Sequence, residues 1–447
     1  MELIFNAKVV NEGTVFHGYV AVEEGVIVAL GEGFPSESLM RQAEVVTDVN
    51  GDYLLPGVID EHVHLREPGM THKGDIASET LAAVAGGVTS VIDMPNVAPP
   101  TVTQAALDDK LERMAHTSLV NYSAYAGATA TNLDWLRSID YRQVAGVKVF
   151  LGSSTGGLLL DDAAALRRLF DSVPALIAAH CEHEGTIARN RSQWRAEHGD
   201  YIPAAVHPLV RSREACLTST LQAVELARAT GARLHVLHVT TADELALFDD
   251  SSTPLAQKRV TAEACVGHLW FSDLDYARLG NRIRVNPAMK TLADRDALRC
   301  AVADRRIDVV ATDHAPHLEN EKLGGALKAA SGMPMIQFSL VAMLELSEQG
   351  VLPIERIPTL MSHNPAKLFH IDRRGFIRPG YYADLVLVDP NGNWQVKEGR
   401  YYTKCGWTPM DERFFTWRVR RTFVNGITAY SDGIVVDGVR GKELRFN

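Results

Sequence analysis

The chain has 447 residues, 46% of them hydrophobic and 22% charged, a balance that describes an ordinary globular protein with ample core and excludes a disordered or fibrous chain. A formal net charge of −10 excludes a general nucleic-acid binder, which would carry a basic patch and a high pI. No apolar run approaches the roughly 20 residues of a membrane-spanning helix, and Met1 to Lys8 lack the basic start and apolar core of a signal peptide. The cysteines Cys181, Cys216, Cys265, Cys300 and Cys405 are odd in number, scattered and without a Cys-x-x-Cys pair, so they read as reduced thiols of a cytoplasmic protein.

Residues 1–54 contain short β-like runs with turn signals, at 7–10 and 25–30. From 55 to 371 short apolar runs alternate with amphipathic helical stretches. The runs lie at 57–65, 88–95, 121–127, 147–152, 175–182, 234–240, 259–265 and 308–316, and the helical stretches include 80–85 and 217–230. Strands alternating with helices imply parallel βαβ units. Eight of them predict an α/β fold of the closed (β/α)8, or TIM, type with catalytic groups at the C-terminal strand ends. An open doubly wound sheet is the alternative, without a Gly-x-Gly-x-x-Gly after the first strand to support it. From 372 to 447 the β texture returns, at 383–388 and 421–426. Neither β-rich end has enough apolar surface to bury alone, so the two are expected to pair into one small flanking β-domain.

Polar residues close strand after strand. The first run ends in Asp60-Glu61-His62-Val63-His64-Leu65-Arg66. On a strand, residues i and i+2 point to the same side, so His62 and His64 project together. Such a pair is either two solvated surface histidines or half of a metal site, since neutral imidazole is a common zinc ligand. The fourth run carries Lys148 inside an apolar stretch, the fifth ends in His180, the sixth holds His235 and His238, and the eighth ends in Asp313. In a barrel all of these face one mouth. His235 and His238, three apart, are expected to face opposite ways, with His238 toward the mouth and His235 packed against a helix. Lys148 either snorkels to the barrel end or, carbamylated by CO2, becomes an anionic group that bridges two metals and is stabilised by their charge.

With Asp93-Met94-Pro95-Asn96, Asn364-Pro365-Ala366-Lys367-Leu368-Phe369 and Gly375 to Gly380 added, these motifs resemble the amidohydrolase superfamily, and within its cyclic amidohydrolases the dihydroorotases of pyrimidine biosynthesis. The likeness runs in order along nearly the whole chain. It implies two divalent metal ions, zinc foremost. The first would be held by His62, His64 and Asp313, the second by His180 and His238, with carbamylated Lys148 between them. Some bacterial relatives use an aspartate as the bridge; this chain has the lysine. The resemblance also implies that Arg66, Asn96 and His317 hold a substrate carboxylate and that Asn286 touches the ring. Read as residues alone, Arg66 suits a bidentate carboxylate contact or a surface salt bridge with Glu67 or Asp75, and Asn286 suits an ordinary loop before proline.

The expected partner is therefore a small-molecule substrate, with no nucleic acid and no membrane, and a homodimer is compatible with the chain. A hydroxide bridging two metals is a strong nucleophile at neutral pH because metal binding lowers the pKa of water toward about 7. Asp313 would take its proton and pass it to the leaving ring nitrogen, in the reversible hydrolysis of L-dihydroorotate to N-carbamoyl-L-aspartate. Allantoinases and hydantoinases share such a metal site and remain alternatives. A non-catalytic scaffold of the same fold would have lost ligands that this chain keeps.

Overall fold

The computed structural model describes residues 1–152, 157–249, 252–397 and 400–447. The chain begins in the flanking sheet. Strands β1 (Glu2–Asn11), β2 (Thr14–Glu23) and β3 (Val26–Glu32) form consecutive antiparallel hairpins. Both connections are two-residue turns, Glu12-Gly13 and Glu24-Gly25, whose residues all have positive φ. That geometry matches the twist of the strands, and glycine adopts it without steric cost. Strands β4 (Val45–Asp48) and β5 (Tyr53–Pro56) then run parallel to β1.

The barrel follows at once: β6 (Val58–Val63), β7 (Val88–Asp93), β8 (Asn121–Ala124), β9 (Ala126–Gly127), β10 (Val147–Phe150), β11 (Ile177–His180), β12 (Leu234–Val236), β13 (Val260–Cys265) and β14 (Val309–Ala311). Their pairings are parallel throughout. β8 and β9 are one strand interrupted at Tyr125, so the eight strands read from the sequence are all present. A parallel bridge from Val63 to His314, with His64 N–H donating to His314 O at 2.8 Å, closes the ring.

The helices obey local rules. The helix Gln104–Thr117 is capped by Thr103 and turns Leu107, Lys110 and Met114, spaced three and four apart, into the interior. The helix Arg213–Thr230 starts at the Ser212 cap and stops at Gly231, whose φ of 76° is left-handed.

The C-terminal part returns to the first sheet. β15 (Leu385–Asp389) pairs antiparallel with β5, placing the two chain ends side by side. After a separate ribbon of β16 (Trp394–Gln395) and β17 (Phe414–Phe415), strands β18 (Arg418–Val424), β19 (Ile427–Ser431) and β20 (Ile434–Val435) extend the sheet. Ile4, Val9 and Leu54 from one end and Leu385 and Phe423 from the other share one apolar cluster. Among the described residues no helix is long and apolar enough to cross a membrane. All five cysteines are free thiols, and only Cys300 is exposed.

Candidate metal centre

Short strands explain how the site is built. His62 and His180 lie at the ends of β6 and β11, Lys148 lies within β10, and His64, His238 and Asp313 follow β6, β12 and β14 by one or two residues, so the groups gather at the C-terminal mouth. His62, His64, Arg66, Asn96, Lys148, His180, His238, Asn286 and Asp313 line a single cleft there, with Phe150, Ser331 and Gly332. His317 stands directly behind Arg66. The ten residues singled out in the sequence are thus gathered in one place.

His64 Nε2 lies 3.0 Å and His62 Nε2 3.3 Å from Asp313 Oδ1. Across the cleft His180 Nδ1 and His238 Nε2 are 2.9 Å apart. Four-coordinate zinc with bonds of about 2.0–2.1 Å places neighbouring ligand atoms roughly 3.3 Å apart, so both groups have the spacing of ligands converging on a cation. The donor set of imidazole and carboxylate is also the right chemistry. Burial, with the positive groups around them, brings His62 and His64 down to about 4 and keeps the imidazoles neutral, the state that binds metal. Burial works to raise the Asp313 carboxyl, but His62, His64 and Lys148 outweigh it and hold Asp313 well below the usual carboxylate range.

The rear ring nitrogens are held as metal-binding histidines require. His62 Nδ1–H donates to Glu263 Oε1 at 3.0 Å, His64 Nδ1–H to Asn96 Oδ1 at 2.8 Å, and His180 Nε2–H to Glu182 Oε2 at 3.0 Å. Glu263 also accepts the His238 N–H at 2.7 Å, and Glu182 is paired with Arg211. These carboxylates escaped the sequence reading. Glu263 stands inside the apolar run of β13, and that oddity was the available signal.

Lys148 projects inward from β10 and is 1% exposed, with Nζ 4.6 Å from the Phe150 ring centroid. It does not snorkel. Burial lowers its pKa to about 8 against the opposing pull of Glu263 and Asp313. Among the described residues no carboxylate forms an ion pair with it.

One expectation needs correction, and one of the two readings of Arg66 falls away. His235 does not face the outer helices: it lies inside the barrel, with Nε2 2.9 Å from Glu61 Oε1 and Nδ1 2.7 Å from Thr261 Oγ1, and among the described residues its helix-end contact is the Phe369 ring, 6.2 Å away between centroids. β12 ends at Val236 and the backbone of His238 takes a left-handed φ of 39°, so strand alternation no longer relates the two histidines and both turn inward. The surface salt bridge for Arg66 is also absent. Glu67 instead accepts the Ile76 N–H at 3.1 Å, and Asp75 caps the helix Ile76–Ala85.

Arg66 is 2% exposed. Its Nε donates to Pro316 O at 3.1 Å and its Nη2 lies 3.1 Å from His317 Nε2. Among the described residues no carboxylate pairs with this guanidinium. Asn96, expected at the substrate, gives its side-chain oxygen to His64 and has only its amide N–H groups left to offer the cleft. Asn286 Oδ1 accepts from Ser331 Oγ at 3.0 Å. Arg66, His238 and Asp313 all have left-handed φ values, of 66°, 39° and 48°. Such strain in non-glycine residues concentrates at functional sites.

The family model "Amidohydrolase family" matches residues 53–428. A dihydroorotase of Halobacterium salinarum is 35% identical over 421 residues, covering 93% of this chain and 95% of that protein. An allantoinase of Rubrobacter xylanophilus is 32% identical, covering 98% and 97%. Among solved structures, an L-hydantoinase (dihydropyrimidinase) from Arthrobacter aurescens superposes with a TM-score of 0.90 at 25% identity, covering 97% of each chain.

Proposed function

The chain belongs to the amidohydrolase family, and from that premise we propose that it is a dihydroorotase, catalysing the reversible hydrolysis of L-dihydroorotate to N-carbamoyl-L-aspartate in cytoplasmic pyrimidine biosynthesis. The enzyme is a cyclic amidohydrolase in either case; the substrate is the matter to decide. The observation that carries the choice is Arg66. A buried guanidinium without a carboxylate partner is costly to keep, and a bound substrate carboxylate would complete it with a pair of charge-assisted hydrogen bonds. Similarity to an allantoinase and to a hydantoinase keeps those substrates in view. Neither allantoin nor hydantoin brings a ring carboxylate to that position.

In this reading His62, His64 and Asp313 would hold one divalent ion and His180 and His238 a second, with Lys148, as a carbamate, a further ligand. The amine adds to CO2 and releases a proton, which requires the neutral lysine that burial favours. Zinc fits the nitrogen-rich donor set, and the ions supply a Lewis acid for the ring carbonyl and acidify water. The chain does the rest. Arg66, an Asn96 N–H and His317 orient the substrate through its carboxylate, with Asn286 at the ring. Asp313 takes the proton of the attacking water and returns it to the ring nitrogen as the amide bond breaks. Glu263, Glu182 and the Asn96 oxygen keep three of the histidines in their binding tautomers.

Side-by-side turnover of L-dihydroorotate, allantoin and dihydrouracil tests the assignment. The highest kcat/KM is expected on L-dihydroorotate; a preference for allantoin would overturn the substrate while leaving the fold and family untouched.

A further inference from the structure

A second buried cation stands behind the carboxylate pocket. Lys73, in the segment after β6, has a side chain 7% exposed. Its Nζ lies 3.2 Å from His317 Nδ1 and 3.2 Å from Glu321 Oε1. The His317 ring is therefore held between Lys73 at Nδ1 and Arg66 at Nε2. Burial and the positive charges of Arg66, Lys73 and Lys322 keep that ring neutral. A neutral imidazole has one lone pair and one N–H, so it cannot accept from both neighbours. One ring nitrogen therefore carries its proton beside a cation, where the ring's hydrogen bond to the Ser331 backbone helps to hold it.

Which nitrogen it is decides what a substrate meets. A lone pair on Nε2 would repel a carboxylate seated at the Arg66 fork, whereas an Nε2–H would be a further donor to it. Glu321 Oε2, 3.5 Å from Nδ1, pulls the proton the wrong way, but Lys73 pairs with Glu321 and stands where it would donate to a lone pair on Nδ1. The Nε2 edge of the ring is also the edge nearest the cleft. Gly332 lines the cleft, and a side chain built there would meet His317 Cδ2 at 2.9 Å. Trp407 Nε1–H holds the His317 carbonyl at 2.7 Å, fixing the backbone behind the ring.

We infer that Lys73 is a positioning residue for substrate recognition: it fixes His317 in the tautomer that presents Nε2–H to the substrate carboxylate. The inference rests on the dihydroorotase reading. Steady-state kinetics on L-dihydroorotate with the metal-loaded enzyme test it in four forms: wild type, Lys73→Met, His317→Gln and the double variant. Lys73→Met should raise KM about tenfold to a hundredfold, the loss expected for one charge-assisted hydrogen bond, with kcat and metal content nearly unchanged. In His317→Gln a side-chain N–H can stand near the Nε2 position whatever Lys73 does, so the same substitution should lose most of its effect on KM. An equal KM effect in both backgrounds means that Lys73 acts through charge alone and overturns the tautomer; no KM effect in the wild-type background overturns the role altogether. Nitrogen-15 NMR of histidine-labelled wild-type enzyme needs no variant to fold. It should find His317 Nδ1 unprotonated, and a protonated Nδ1 refutes the inference. Wild-type enzyme that hydrolyses other cyclic amides but not L-dihydroorotate overturns the function, and with it the carboxylate partner, while the NMR result still reports the tautomer by itself.

Discussion

Among the described residues Lys148 forms no ion pair with a carboxylate, in a setting where a lone ammonium is expensive. Its pKa of about 8 means that the neutral amine grows as pH rises through that value and shrinks below it. Metal-stripped enzyme should therefore regain activity with zinc and bicarbonate faster at pH 8 than at pH 6, followed by the carbamate carbon in NMR with labelled bicarbonate. A reconstituted enzyme with an unmodified amine and full activity would refute the bridge. Lys148→Ala should lose most activity, with partial recovery from short carboxylic acids. Asp313→Asn removes the proton carrier, and a general base is typically worth about 10²–10⁴ in rate. We expect kcat to fall by that range in both reaction directions. Retention of metal together with more than about a tenth of kcat would contradict the role. Arg66→Met should cut kcat/KM for L-dihydroorotate by about tenfold to a hundredfold without releasing metal, since Arg66 is not a ligand. Unimpaired dihydroorotate turnover in that variant would sink the carboxylate assignment.

Among the elements, the exits of β6 and β7 are tied together by a buried pair that no local pattern announces. Asp93 at the end of β7 accepts the Leu65 N–H at 2.8 Å and pairs with Lys110 from the helix Gln104–Thr117, whose Nζ also donates to Met94 O at 2.6 Å. Lys110 is fully buried among apolar helix neighbours. Replacing it with methionine leaves the Asp93 charge uncompensated, a change worth about 3–5 kcal/mol. Denaturant unfolding of Lys110→Met should register that loss. A loss within experimental error would refute the pair as a source of stability. Removing both charges together should restore part of the stability, because the unpaired ion is the costly species.

Across the whole molecule, the barrel and the flanking sheet share structure at their junction. β5 ends at Pro56, β6 begins at Val58, and Gly57 N–H donates to Asp384 O beside β15 at 2.8 Å. Asp384 in turn pairs with Arg374 and accepts the Asn121 amide at 3.1 Å, so the C-terminal part is pinned to the barrel strand β8. A barrel of residues 55–371 expressed alone should fail to fold cooperatively. Near-native thermal unfolding and metal uptake by that fragment would show the flanking sheet to be dispensable.

What the sequence determined by itself was set by local periodicity. Eight apolar runs spaced by amphipathic stretches dictate parallel strands and outer helices because hydrogen bonding and burial act over a few residues. A lysine or histidine ending such a run is visible as a polar intrusion. His62, His64, Lys148, His180, His238 and Asp313 were legible in that way, with the family likeness grouping them. Other features depend on closure. Glu263 meets His62 across 201 residues of chain, and Lys73 meets His317 across 244. The inward turn of His235 follows from where β12 stops and the backbone reverses hand. That Arg66 pairs with no carboxylate among the described residues appears only when the loops around it have packed. Partners distant in sequence leave no periodic trace, because their energy comes from the low-dielectric interior that exists only once the barrel has closed.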